Sequence, residues 1–184
     1  MSVGVNSVYF DACVYLAHYR QEFASYGKPR IAAIGEVILE NERGGCSVMT
    51  STLCMVEVLE ILLHYGLKKE IEDFKRRLNG LHRLFDVDPV IAERAASYRE
   101  WYRKNPVKMP TRTKPYTNLA TPDAIHLATG IIHNCDEFWT FDGLNTTADK
   151  RESIKPLWLN NKVGSDAMII VPPSLAAPSL PLGA

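Results

Sequence analysis

The chain has 184 residues, of which 46% are hydrophobic and 23% charged. Its 21 basic and 21 acidic side chains give a formal net charge of zero. These values exclude a disordered chain and a uniformly basic nucleic-acid glove, and the length suits one domain with a sizeable core.

Ser7 to Phe10 is short, aromatic and β-branched, reads as a buried strand, and ends at Asp11. A helical segment follows to about Tyr26, where Gly27 to Pro29 break it. Ile31, Ile34, Val37 and Ile38 recur at helical spacing, so a second helix runs to about Arg43 and stops at Gly44 and Gly45. Cys46 to Thr50 reads as a second buried strand. Ser51 or Thr52 caps the next helix, which reaches about Tyr65. Leu67, Ile71, Phe74, Leu78 and Leu81 mark an amphipathic helix. Leu84 to Asp88 is a short strand candidate. Asp88-Pro89 opens a helix with Ile91, Ala95, Tyr98 and Tyr102 on one face.

Asn105-Pro106 ends that helix, and residues 105–120 read as a long loop with three prolines. Thr121-Pro122-Asp123 starts another helix, with threonine at the N-cap and an acid in the first turn. It ends near Asn134. Glu137 to Phe141 reads as a strand that stops at Asp142, and Ala167 to Val171 as a last one. The expected organisation is one domain over 1–172, followed by a proline-rich tail at 173–184 without fixed structure. No apolar run is long enough to span a membrane, and the first twenty residues lack a basic signal-like start, so a cytoplasmic protein is expected. Cys13, Cys46, Cys54 and Cys135 form no CxxC pair and read as reduced thiols.

Strands alternating with helices imply an α/β fold with a mostly parallel sheet covered on both faces. In such sheets, ligands bind beyond the carboxyl ends of the strands. Asp11 and Asp142 close strands there. Asp123 sits at a helix start, and Glu57 lies in the first two turns of the helix after the second strand. Glu57, Glu60 and His64 form the one polar stripe of an otherwise apolar, and therefore buried, helix. A stripe that merely faces water is the plain alternative. Packed carboxylates repel, so protons or a cation must hold them; oxygen donors select Mg²⁺ or Mn²⁺, which suit phosphoryl chemistry.

The runs YFDACVYL, SVMTSTLCMVEVLEIL and TPDAIHLATGIIHNCDEFWTFD resemble the motifs of PIN-domain nucleases, and within them the VapC-type toxin ribonucleases. The resemblance implies a three-layer α/β/α fold with a five-stranded parallel sheet in order 3-2-1-4-5. It carries the acidic quartet over to Asp11, Glu57, Asp123 and Asp142, as catalytic residues and metal ligands. Ser51, six residues before Glu57, and Thr140 of the Thr-x-Asp motif are supporting residues. Asn145 stands where a further acid sometimes follows. The resemblance also implies Mg²⁺- or Mn²⁺-dependent hydrolysis of RNA, a homodimer and, for a toxin, a small antitoxin partner.

From Arg99 to Tyr116 there are six basic residues and one acid, Glu100. Lys108, Arg112, Lys114 and Tyr116 are the candidates for holding an RNA backbone and unstacked bases, with a solvated loop as the plain alternative. His126, three residues after Asp123, reads as a packed helix residue, with a general acid or outer-shell group as the alternative, and Trp101, Trp139 and Trp158 read as core or interface. The competing function is a PIN-like module that binds RNA or protein without cutting.

Overall fold

The computed structural model describes residues 6–108, 114–144 and 153–175. Its elements are β1 (Ser7–Phe10), α1 (Ala12–Tyr19), α2 (Phe23–Tyr26), α3 (Lys28–Glu42), β2 (Ser47–Ser51), α4 (Thr52–His64) and α5 (Lys68–Gly80). These are followed by β3 (Arg83–Phe85), α6 (Pro89–Lys104), α7 (Thr121–Ile132) and β4 (Glu137–Trp139). A 3-10 turn (Pro156–Leu159), β5 (Lys162–Val163), β6 (Asp166–Ala167) and β7 (Ile169–Val171) complete the chain.

Five strands form one parallel sheet in order β3-β2-β1-β4-β7. This is the expected 3-2-1-4-5 order, its fifth member displaced in numbering by the small antiparallel hairpin β5-β6. β1 lies at the centre and all four of its residues are buried. Both of its faces are covered, which is why it carries no alternating polar residues. Val8 and Phe10 pack with α1, α3, α4 and α5 residues on one side. Tyr9 packs with α6 and α7 residues on the other.

Five local details differ from the sequence reading. The first helix is split after Tyr19, because Gln21 takes a left-handed φ of 52°. Gln21 and Glu22 donate back to the His18 and Ala17 carbonyls, closing a Schellman motif without glycine. Strand β4 ends at Trp139, two residues early, and the last strand begins at Ile169 because Asp166–Ala167 pairs with β5 instead. Helix α7 begins at Thr121 with Ala120 as its cap and no side-chain cap bond. Helix α4 is only half covered: Cys54, Val58 and Leu62 are buried, but Val56 and Leu63 are 61% and 64% exposed.

Other expectations stand. Asp88 caps α6 by accepting from the Ile91 amide at 2.8 Å, and all four cysteines are free. Among the described residues, no helix is long and apolar enough to cross a membrane. The proline-rich tail is described only to residue 175, and Asn145 and Arg112 lie outside the described residues.

Candidate metal centre

Parallel strands end on one edge, so residues that follow β1, β2 and β4 meet there. Asp11 follows β1 directly and is 6% exposed. It caps α1 by accepting from the Ala12 amide at 2.7 Å through Oδ1. Its Oδ2 accepts from the Thr140 hydroxyl at 2.7 Å, and Cys13 Sγ lies 3.4 Å away. Thr140 Oγ1 also accepts from the Asp142 amide at 3.0 Å. One hydroxyl therefore ties the acid after β1 to the acid after β4.

Ser51 closes β2 and caps α4, accepting from the Cys54 amide at 3.3 Å. The cap sets the rotation of α4, which turns Glu57 and Glu60 toward an open cleft of about 490 Å³. Asp11, Cys13, Asp123, His126, Asp142 and Lys155 line the same cleft. The exposed His64 is not among the lining residues.

For His126 the sequence favours packing and keeps an outer-shell role as the alternative, and the structure brings it to the site. It is buried, and its Nε2 donates to Glu57 Oε2 at 2.8 Å. Its Nδ1 lies 2.8 Å from the Tyr9 hydroxyl and 3.3 Å from Ser51 Oγ. Burial pulls the imidazole pKa down, but the Glu57 hydrogen bond and the charges of Asp11, Glu57 and Asp123 overcome it and hold the group above its usual value. Its place three residues after Asp123 put it near that face of α7. Its partner Glu57 lies 69 residues away in the chain, beyond any periodicity.

Asp123, in the first turn of α7, is pushed up to about 7. Burial is the main cause, then the charges of Asp11 and Asp142; Lys155 and His126 offset them in part. A carboxyl so displaced is stabilised by a proton or by a cation. Asp11, Glu57 and His126 offer one donor atom each, all within 4.8 Å of one another. The carboxylates of Asp11 and Glu57, with Asp123 and Asp142 in the same cleft, suit a divalent ion, while His126 Nε2 is engaged in holding Glu57.

The model of the PIN domain family matches residues 8–144. The chain belongs to the PIN-domain family. Among solved structures, this PIN protein is similar to VapC20 from Mycobacterium tuberculosis, described as a sarcin-ricin loop cleaving toxin. That likeness has 20% identity, covers 81% of this chain and 99% of that one, and has a TM-score of 0.49. A toxin-antitoxin complex from Klebsiella pneumoniae gives 17% identity over 80% and 95% of the two chains, with a TM-score of 0.47. FitAcB from Neisseria gonorrhoeae gives 20% over 73% and 87%, with a TM-score of 0.46. No curated protein matches.

The basic loop is described in part. Val107 and Tyr116 form an antiparallel bridge, and Lys108 and Lys114 are exposed. Tyr116 departs from the expectation. It is 6% exposed, with its ring 4.9 Å from that of Trp158, so it serves the core and presents no face for a base.

Proposed function

We propose that this PIN protein is a divalent-metal-dependent endoribonuclease whose catalytic residues and metal ligands are Asp11, Glu57, Asp123 and Asp142. The observation that supports the reading best is the convergence of these four acids and His126 on one cleft at the carboxyl edge of the sheet. A bound Mn²⁺ or Mg²⁺ supplies Lewis acidity toward the phosphate and toward the attacking water.

The chain's own residues hold the geometry. Thr140 and the Ala12 amide fix the two oxygens of Asp11, and His126 fixes one oxygen of Glu57. Asp123 and Asp142 lie in the same cleft. In the reaction, water adds to phosphorus in line and the P–O3′ bond breaks. The 3′ oxygen then takes a proton, leaving a 5′-phosphate and a 3′-hydroxyl. In this reading the exposed Lys108 and Lys114, which precede α7 in the chain, contact the RNA backbone.

The finer reading, a VapC-type toxin that acts as a homodimer and is held by a small antitoxin, rests on the likeness of the three sequence runs. The experiment is incubation of purified protein with defined RNAs and Mn²⁺ or Mg²⁺. Asp11→Asn keeps shape and removes one charge, so it should slow cleavage by ~10³-fold or more and leave the fold intact. Full activity in that variant would sink the assignment, and a wild-type protein that binds RNA without cutting it would favour the binding-module reading.

A further inference from the structure

The acidic cleft has a cation of its own. Lys155 is 6% exposed and lines the same cleft as Asp11, Glu57, Asp123 and Asp142. A lysine withdrawn this far from water is rare unless its charge is matched. Its backbone is strapped to the two segments that carry site acids. Just before it, the Ile154 amide donates to the Asn118 carbonyl at 2.8 Å, and Ile154 bridges Leu119 near the start of α7. Just after it, the Leu157 amide donates to the Asp142 carbonyl at 3.2 Å. Trp158 donates through Nε1 to the Gly143 carbonyl at 3.2 Å. Lys155 thus stands between the Asp123 and Asp142 segments, and its charge acts on Asp123 against those of Asp11 and Asp142.

Two-metal nucleases place a second ion to neutralise the far side of the phosphate. Here a buried lysine already lines the cleft of the acids that such an ion would need, and its charge reaches Asp123. A second divalent ion would have to share them with that like charge. We propose that Lys155 is the second cation of this cleft: its ammonium pairs with a non-bridging oxygen of the scissile phosphate, and the cleft holds a single divalent ion. The phosphate contact rests on the ribonuclease reading above; the count of ions does not.

The test combines Mn²⁺ titration of the full-length protein, read by calorimetry and by the electron paramagnetic resonance of free Mn²⁺, with cleavage of a defined single-stranded RNA. The variants are Lys155→Met, which keeps the stem and removes the charge, and Lys155→Arg, which keeps the charge. Wild type should bind one Mn²⁺. Lys155→Met should bind it ~10-fold more tightly, because a like charge is gone, and cut RNA ~100-fold more slowly. Lys155→Arg should keep the weaker wild-type affinity and recover part of the cleavage rate.

A purely structural lysine would lower affinity and activity together in Lys155→Met, and that result overturns the proposal, as does an unchanged Mn²⁺ affinity. Wild type that cuts RNA while holding two ions of similar affinity overturns it too and leaves the ribonuclease reading standing. One bound ion and a tighter Lys155→Met, without any RNA cleavage by wild type, overturns the reading instead and leaves Lys155 as the second cation of the cleft.

Discussion

Two places in this protein gather carboxylates, and they treat them in opposite ways. On α5, burial pushes Asp73 up, but hydrogen bonds from Arg76 and Arg77 and the charge of Arg77 more than reverse this and hold it at about 2. Glu42 joins through Arg77 as well, so each acid there meets a guanidinium. In the cleft, Asp123 has burial and two like charges for company and rises to about 7. The first cluster is stitching between α5 and α3. The second is a stored repulsion that a cation would relieve, which is what a binding site for one requires.

The largest expected contrast comes from neutralising one acid in each place. Asp123→Asn should cut RNA cleavage by ~10³-fold yet raise the stability of the metal-free protein by about 1–2 kcal/mol, after allowance for solvent screening. Asp73→Asn should leave cleavage unchanged and lower stability by about 1–2 kcal/mol, discounted likewise for its partial exposure. Denaturant melts beside the cleavage assay check both, and stability changes of the same sign would erase the contrast.

A pH series sharpens it further. The folded protein holds the Asp123 proton up to about 7, whereas an unfolded aspartate releases it near 3.8. The native state therefore binds more protons across that window, and this group's contribution to stability falls as pH rises through it, by about 2 kcal/mol. Asp73 has the opposite sign: its contribution is present above 3.8 and is lost as pH drops through about 2. Added Mn²⁺ should raise the melting temperature more at pH 8 than at pH 5.5. An equal gain at both would show that Asp123 does not sense the ion.

The rim of the cleft can be broken through its backbone. Gly143 has φ +105°, and a Cβ there would lie 2.9 Å from Trp158 Nε1 and 3.1 Å from Lys155 Cβ. Gly143→Ala should cost about 2 kcal/mol and disturb cleavage, because it pushes on the segment that carries Lys155. The smallest effect is expected from Ser51→Ala. It removes the α4 cap and one neighbour of His126, for about 1 kcal/mol in a thermal melt.

Much of this was legible beforehand. The position of Asp11 at the end of a buried strand and that of Glu57 in the first two turns of the helix after the second strand follow from local pattern. So does Asp123 in a proline-led helix start, because each needs only strand or helix geometry to be placed. The Ser51-to-Glu57 spacing came with the resemblance. The break at Gln21 escaped notice because its left-handed residue is not a glycine. The hairpin β5-β6 escaped because two-residue strands carry no period.

The amino-acid sequence by itself determined the parallel α/β organisation and the edge on which the acids lie, since strand-helix alternation implies parallel pairing with ligands beyond the strand ends; the order of the sheet came with the resemblance of its three motifs to PIN-domain nucleases. Only the tertiary structure decided which cations meet those acids. His126 reaches Glu57, and Lys155 enters the cleft, through contacts between segments far apart in the chain. No local propensity encodes such a meeting; it is set by packing the two helical layers on the sheet and by the hydrogen bonds that strap residues 154–158 across its edge.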